Sequence, residues 1–162
     1  MRMIANHGQE KKYYHKVTGC NSRLDSIQAA ILNVKLKFLD EYNNKRNKMA
    51  DKYDDAFKSI DGLNIPFRFD CSDHVFHQYT LKTTKNLRDD LVSFLNKKGI
   101  PSMIYYPVPL YKQEAFSKYV KNEFEIKNVE NLCETVFSLP IHTEIENSHQ
   151  NFIIENVLNY FN

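Results

Sequence analysis

The strongest pattern along the chain is a run of apolar residues spaced three and four positions apart, which is the repeat of one helix face. Its members are Leu24, Ile27, Ile31, Val34 and Phe38, and Leu32, Leu36 and Leu39 widen the stripe. The run predicts a helix with a broad buried face. Ser22 and Asp25 have the spacing of a capping box, so we expect the helix to begin there.

The helical pattern continues at the same spacing over residues 49–60 and stops at Asp61-Gly62. A pattern that covers residues 24–60 is longer than an ordinary globular helix. We therefore expect either a bend near Asn43-Asn44 or two abutting helices. A long helix early in a chain often contacts another subunit.

A strand and a helix are predicted in the middle of the chain. Residues 74–83 alternate, with Val75, His77, Tyr79 and Leu81 on one face and Phe76, Gln78, Thr80 and Lys82 on the other. A helix then begins at Asn86 and ends at Gly99, which suits a left-handed C-terminal cap. Its predicted core face consists of Leu87, Leu91, Phe94 and Leu95. Because residues 102–106 are short and apolar, the three elements form a β-α-β unit.

The last third of the chain predicts three helices. A short one covers residues 113–120, and a charged loop covers residues 121–127. One longer helix begins at Asn128 and the other at Ser148. Their predicted inward residues are Val129, Leu132, Cys133 and Val136, and then Phe152, Ile153, Val157 and Phe161. The fold class is therefore α/β.

Composition limits the classes of protein to which the chain can belong, but it does not indicate a binding partner. The 162 residues are 42% hydrophobic and 26% charged, which is typical of one globular domain. A net charge of +2 gives no indication of nucleic-acid or membrane binding. No apolar run is long enough to span a membrane. The three cysteines are too widely spaced for a disulfide framework, so we expect reduced thiols in a cytoplasmic protein.

The histidines do not predict a metal site. His74 and His77 lie three positions apart on the predicted strand, where odd separations point to opposite faces. No HExxH motif or paired Cys/His spacing occurs elsewhere. We therefore expect no bound metal.

Short polar residues are concentrated in the segments that precede the long helix, at residues 6–8 and 19–23. Free amides at a helix N-terminus attract anions, and an Asn amide with the forked Arg23 guanidinium suits a phosphate. The alternative is a capped helix with an exposed arginine, which requires no ligand.

Several short runs spread along the chain resemble a known family. The runs that carry it are Asn6-His7-Gly8, Tyr14-His15, residues 19–32, residues 74–79, residues 99–102, residues 106–110 and residues 138–142. In order and approximate spacing they resemble the C-terminal part of the DegT/DnrJ/StrS family of pyridoxal-phosphate (PLP)-dependent nucleotide-sugar aminotransferases. The most specific piece is the Asn-Ser-Arg-Leu-Asp-x-x-Gln-Ala-Ala run that begins at Asn21.

The resemblance implies a fold and an assembly. The fold is the small C-terminal domain of the fold type I, aspartate-aminotransferase-like PLP enzymes. Residues 1–62 are an interface segment with the long helix, and residues 63–162 are the α/β small domain. The assembly that it implies is a homodimer, and in line with the composition we expect no membrane or nucleic-acid partner.

The resemblance also implies roles for particular residues. Asn21 and Arg23 would reach the PLP phosphate of the neighbouring subunit. The candidates on the substrate side are His7, Gly8, His77, Tyr79, Tyr106 and His142. Family members often carry His after the Pro-x-Pro-Leu turn, but this chain has Tyr111 there.

The activity implied by the resemblance is transfer of an amino group from an amino acid, expected to be glutamate, to a keto-sugar nucleotide, as in polysaccharide or lipopolysaccharide biosynthesis. In this family a larger N-terminal domain supplies the Schiff-base lysine, and no lysine here has that sequence context. We therefore expect no catalytic residue in this chain and no activity from it alone. Two alternatives remain: a related PLP-dependent sugar dehydratase, in which histidine replaces that lysine, and a catalytically silent interaction module.

Overall fold

A computed structural model describes residues 1–22, 24–120 and 125–162. The chain forms two compact units, Met1–Asp40 and Glu41–Asn162. Among the described residues, no helix is long and apolar enough to cross a membrane.

The first unit consists of short elements followed by a helix. Helix α1 covers Arg2–Ala5, and strands β1 (Gln9–Lys11) and β2 (Tyr14–His15) form an antiparallel hairpin. Helix α2 covers Ser26–Leu36. The predicted buried face of α2 is wrong for the isolated chain, since none of its residues is buried and Ile27 is 77% exposed.

The long helical pattern is divided into two abutting helices, as predicted, but the break lies at Lys37-Phe38 and not near Asn43-Asn44. Helix α3 covers Leu39–Phe57 and buries Ala50, Tyr53 and Phe57. The break follows a tightened last turn, in which the Phe38 amide donates to the carbonyl of Lys35 at 3.0 Å.

The second unit is built on a small antiparallel sheet. Strand β3 (Tyr79–Lys82) pairs with β4 (Val136–Leu139), and Thr80 lies opposite Ser138. On the other edge of β4, Met103 forms an antiparallel bridge with Ser138. The two strands of the predicted β-α-β unit therefore run in the same direction, but β4 lies between them.

The predicted strand over residues 74–83 is shorter in the structure, because only Tyr79–Lys82 forms a ladder. Phe76 has a positive φ of 44°, and its side chain is fully buried. The alternation had placed Phe76 on the face opposite Tyr79. The local change of backbone direction instead brings both rings into one core.

Three helices accompany the sheet: α4 (Lys85–Lys97), α5 (Lys127–Thr135) and α6 (Asn147–Phe161). The residue that caps α4 is Thr84, and Gly99 adopts the predicted left-handed conformation. In place of the predicted helix over residues 113–120, the chain forms 3-10 turns at Leu110–Lys112 and Glu114–Tyr119. Four residues of the predicted charged loop, 121–124, lie outside the described part.

The core of the second unit lies between the sheet and helices α3, α4 and α6. Its fully buried large side chains are Tyr53, Phe57, Phe76, Tyr79, Leu81, Leu91, Leu95, Phe137 and Val157. Helix α5 departs from prediction, because Val129 and Leu132 are exposed and Val136 belongs to β4. In α6, Ile153 and Val157 are buried as predicted.

Candidate functional site

Asn21, one of the two predicted phosphate contacts, lies where two segments of the first unit cross. Asn6 forms an antiparallel bridge with Asn21, and the His7 amide donates to the carbonyl of Cys20 at 3.0 Å. The Ser22 amide donates to the carbonyl of Ala5 at 2.9 Å. These bonds fix the backbone of Asn21 beside residues 5–7 and leave its side chain at the surface. Arg23, the other predicted phosphate contact, lies outside the described residues.

Glycine is required at this crossing. Gly8 has a φ of +73°, and an added Cβ would lie 1.7 Å from the carbonyl oxygen of Val17. An added Cβ on Gly19 would lie 2.1 Å from the Gly8 nitrogen. His7, also at positive φ, accepts a hydrogen bond on its carbonyl from Nδ1 of His15 at 2.7 Å. The predicted residues His7 and Gly8 therefore shape this crossing through their backbone.

The start of α2 differs from the sequence prediction. Asp25, and not Ser22, is the capping residue, and its amide donates to Oε1 of Gln28 at 3.4 Å. A carboxylate at the N-terminus of a helix occupies the place that an external anion would take. A phosphate contact in this region would therefore depend on the side chains ahead of the helix and not on its free amides.

In the second unit, the structure brings His77 and His142 together at one cavity of about 260 Å³. The remaining lining residues are Gln78, Pro101, Met103, Tyr105, Ser138, Leu139, Pro140 and Ile141. Ser138 and Tyr105 were not among the predicted site residues. The Ser138–His142 motif was recognised, but nothing in its pattern indicated a strand, so the place of Ser138 at the centre of the sheet was missed.

The floor of this cavity, which we call the histidine cavity, is held by backbone pairing. The Ser138 amide donates to the carbonyl of Met103 at 2.7 Å, and the Met103 amide donates back at 3.2 Å. The hydroxyls of Ser138 and Thr80 are 2.9 Å apart. Tyr53, buried in the core, donates its hydroxyl to the carbonyl of Pro140 at 3.0 Å. Neighbours on three sides therefore fix the strand that leads to His142.

His142 has a defined tautomer when it is neutral. Its Nδ1 accepts from the amide of Glu144 at 3.2 Å, so the ring proton resides on Nε2. His142 also borders an adjacent cavity of about 350 Å³ that includes Glu144 and His149. An exposed imidazole with Nε2–H can donate a hydrogen bond to a substrate oxygen.

Tyr79, another predicted substrate-side residue, is placed in the core and away from the histidine cavity. Its side chain is fully buried, and its hydroxyl donates to Asp54 at 2.6 Å. Asp54 also pairs with Arg68 at 2.5 Å. Burial raises the pKa of Tyr79, and the hydrogen bond to Asp54 raises it further. The phenol therefore stays protonated and supports β3 from within.

Tyr106 lies at a different cavity, of about 490 Å³, which we call the apolar cavity. It is lined by Tyr105, Tyr106, Val108, Pro109, Leu110, Gln113, Val129, Leu132, Cys133 and Val136. Tyr105 borders both this cavity and the histidine cavity. Apolar walls with a few polar groups are typical of small-molecule sites.

The described lysines do not have the surroundings of a covalent PLP carrier. None of them is buried. The pKa of Lys45 is raised by the hydrogen bond that its ammonium donates to Glu41, and the pKa values of Lys58 and Lys112 are raised in the same way by Asp55 and Glu130. A Schiff-base lysine needs the opposite shift, toward the free amine. Among the described residues, no group of three or more His, Cys, Asp or Glu side chains could hold a metal ion.

The fold is that of the C-terminal part of fold type I PLP aminotransferases. The chain belongs to the DegT/DnrJ/EryC1/StrS aminotransferase family, whose model matches residues 1–158. It is 38% identical over 162 residues to the "Pleiotropic regulatory protein" of Geobacillus stearothermophilus, covering 99% of this chain and 43% of that protein. It is 35% identical over 146 residues to the dTDP-3-amino-3,4,6-trideoxy-alpha-D-glucose transaminase of Streptomyces venezuelae, covering 90% and 38%.

Solved structures agree with this assignment. S. venezuelae DesV superimposes with a TM-score of 0.86 at 33% identity, over 98% of this chain and 42% of that chain. A family aminotransferase from Brucella abortus gives a TM-score of 0.83 at 32% identity, over 99% and 42%. The chain thus spans about two fifths of the length of these relatives and aligns to their C-terminal part.

Proposed function

We propose that this chain is the C-terminal domain of a PLP-dependent enzyme that transfers an amino group from glutamate to a keto-sugar nucleotide. The observation that carries the proposal is the family match over residues 1–158, together with transaminase relatives whose names specify nucleotide sugars. In this proposal, residues 1–62 contribute the interface segment and residues 63–162 the small domain. A separate lysine domain supplies the covalent chemistry, so the chain alone is inactive.

The proposed cofactor contacts are Asn21 and Arg23, directed at the PLP phosphate of the neighbouring subunit. The exposed Asn21 carboxamide fits a phosphate, since its backbone is already fixed by the bridge to Asn6 and little flexibility would be lost on binding. When bound, PLP would supply the electron sink for amino transfer. This chain would hold the phosphate from across a dimer interface.

The proposed substrate contacts are His77 and His142, with Tyr106 at the neighbouring apolar cavity. His142 Nε2–H would donate to a sugar or phosphate oxygen, and the backbone bonds of Ser138 would keep it in place. His7 and Gly8 shape the crossing that carries Asn21, and Tyr79 supports β3 from the core. These roles orient substrate and leave proton transfer to the lysine domain.

A chimaera tests the proposal. Residues 1–158 replace the matching C-terminal part of the S. venezuelae transaminase, and formation of 2-oxoglutarate from glutamate is followed with a keto-sugar nucleotide as acceptor. We expect activity from the chimaera. His142→Ala should lower kcat/KM by about tenfold or more, because one hydrogen bond to a charged group is lost. His149→Ala, on the adjacent cavity, is the matched control.

Three outcomes would contradict parts of the proposal. Loss of water from the sugar without glutamate consumption would favour the dehydratase. A folded, dimeric chimaera with no activity on any keto-sugar nucleotide would favour a silent interaction module. Equal effects of His142→Ala and His149→Ala would remove His142 from the substrate site.

A further inference from the structure

Tyr111 is engaged in a polar cluster at the start of helix α5. Its hydroxyl donates to Oε1 of Glu130 at 2.5 Å and accepts from the Ile126 amide at 3.3 Å. Lys112 donates to the same Glu130 oxygen at 2.8 Å. The Ile126 amide precedes α5 and has no partner within the helix, so the tyrosine hydroxyl satisfies it.

This cluster anchors one end of the segment that lines the apolar cavity. The other end is fixed in the sheet, where Met103 pairs with Ser138. Between the two anchors, residues 105–110 supply one wall of the cavity. The opposite wall comes from α5, which carries Val129, Leu132 and Cys133. Tyr106 is 71% exposed, so packing alone does little to hold it.

We propose that Tyr111, Lys112 and Glu130 form a clasp that holds residues 105–110 against α5, and that Tyr111 is thereby a positioning residue for Tyr106. The substrate-side role of Tyr106 rests on the proposed function, whereas the clasp itself does not. With the clasp formed, residues 105–110 stay in place as one wall of the cavity that Cys133 also lines. With the clasp broken, only the sheet end of the segment remains attached.

The identity of residue 111 matters to this geometry. A tyrosine places its hydroxyl at the far end of a six-membered ring, where it can reach both Glu130 and the Ile126 amide. A histidine ring is shorter and, when neutral, offers one donor and one acceptor on fixed ring positions. Tyrosine at position 111 therefore commits this side chain to α5 and sets the wall of the apolar cavity.

The half-buried thiol of Cys133 reports whether residues 105–110 stay in place along the cavity. The 162-residue chain is treated with N-ethylmaleimide under native conditions, and alkylation of each cysteine is followed by peptide mass spectrometry. Cys20 and Cys71 are exposed and serve as internal references. We expect Tyr111→Phe to speed Cys133 alkylation about three- to tenfold relative to these references, because one charge-assisted hydrogen bond at the surface is lost.

A matched control and a double-mutant cycle distinguish loss of the clasp from a general loosening of the domain. Tyr119→Phe removes a hydroxyl from a 68% exposed tyrosine of the neighbouring turn and should leave the Cys133 rate unchanged. Glu130→Ala should raise the rate at least as much as Tyr111→Phe, because it also removes the contact with Lys112. The double variant should be less than additive, since both single variants remove the hydrogen bond between Tyr111 and Glu130. Glu130→Gln keeps an acceptor and should restore part of the protection.

A spectroscopic reporter follows the positioned residue itself. The sequence contains no tryptophan, so Tyr106→Trp introduces a single one. Its fluorescence anisotropy should fall when Tyr111→Phe is added and not when Tyr119→Phe is added. The clasp is overturned if Tyr111→Phe leaves both the anisotropy and the Cys133 rate at the level of Tyr119→Phe, or if the double variant is fully additive. Neither readout requires enzymatic activity, so failure of the clasp and failure of the proposed function remain distinguishable.

Discussion

Two buried tyrosines allow a test of how the charge of the acceptor determines the contribution of a hydrogen bond to the free energy of unfolding. Tyr79 donates to the Asp54 carboxylate at 2.6 Å, and Tyr53 donates to the carbonyl of Pro140 at 3.0 Å. Both rings are fully buried, and their centroids are 4.9 Å apart. Burial raises the pKa of each phenol, so both stay protonated through the neutral range.

Replacing either tyrosine by phenylalanine removes one hydroxyl and keeps the ring. A hydrogen bond to a charged group contributes about 1.5–3 kcal/mol, and one between neutral groups about 0.5–1.5 kcal/mol. Both acceptor residues are half-buried, so water replaces part of each lost bond. Arg68 also stays paired with Asp54 after the change. We therefore expect Tyr79→Phe to lower the free energy of unfolding by about 2 kcal/mol and Tyr53→Phe by about 1 kcal/mol.

Urea unfolding of the 162-residue chain measures both effects. With a slope of about 2 kcal/mol per molar urea, Tyr79→Phe should lower the midpoint by about 1 M and Tyr53→Phe by about half as much. Tyr119→Phe, at the surface, should stay within about 0.5 kcal/mol of the parent chain. If Tyr53→Phe lowers the free energy of unfolding more than Tyr79→Phe does, with unchanged slopes against urea concentration, then the charge of the acceptor is not the deciding factor.

Further predictions concern the first unit. In the chimaera, Arg23→Ala should weaken PLP retention about ten- to a hundredfold, and Asn21→Ala less, as charged and neutral donors to a phosphate differ; equal losses, measured by cofactor absorbance after gel filtration, would contradict this. Gly8→Ala should lower the melting temperature more than Gly99→Ala, since both positions have positive φ but an added Cβ clashes only at Gly8; equal shifts would count against it. The exposed apolar face of α2 should drive self-association, which sedimentation would detect and Ile31→Asp would reduce; a monomer at high concentration would oppose it.

Helices with a clear period and turn residues with special backbone angles could be predicted from the sequence. The apolar repeat predicted α3 and α6, and Gly99 marked the end of α4. The burial of α2 could not be predicted in this way. A periodic apolar face indicates that a helix packs against something, but the sequence of one chain does not say whether the covering surface belongs to that chain.

Strand β4 was missed because tertiary contacts override its local pattern. Val136 continues the spacing of the preceding helix, yet α5 ends at Thr135. The buried Arg88 donates to the carbonyls of Cys133 and Val136, both at 3.2 Å, where the helix gives way to the strand. These two bonds come from a residue that lies 45 and 48 positions earlier in the chain, so no local window contains them.

Missing β4 also concealed how the candidate site is assembled, because this strand joins both cavities. Val136 lines the apolar cavity, and Ser138 lines the histidine cavity two residues further along. Residues 136 and 138 point to the same face of a strand, so a shift of β4 would move a wall of both cavities together. Ser138 is bonded on both sides, to Thr80 and to Met103, which holds the strand in one register. The positions of His142 and Tyr106 relative to each other therefore depend on a strand that carries neither of them.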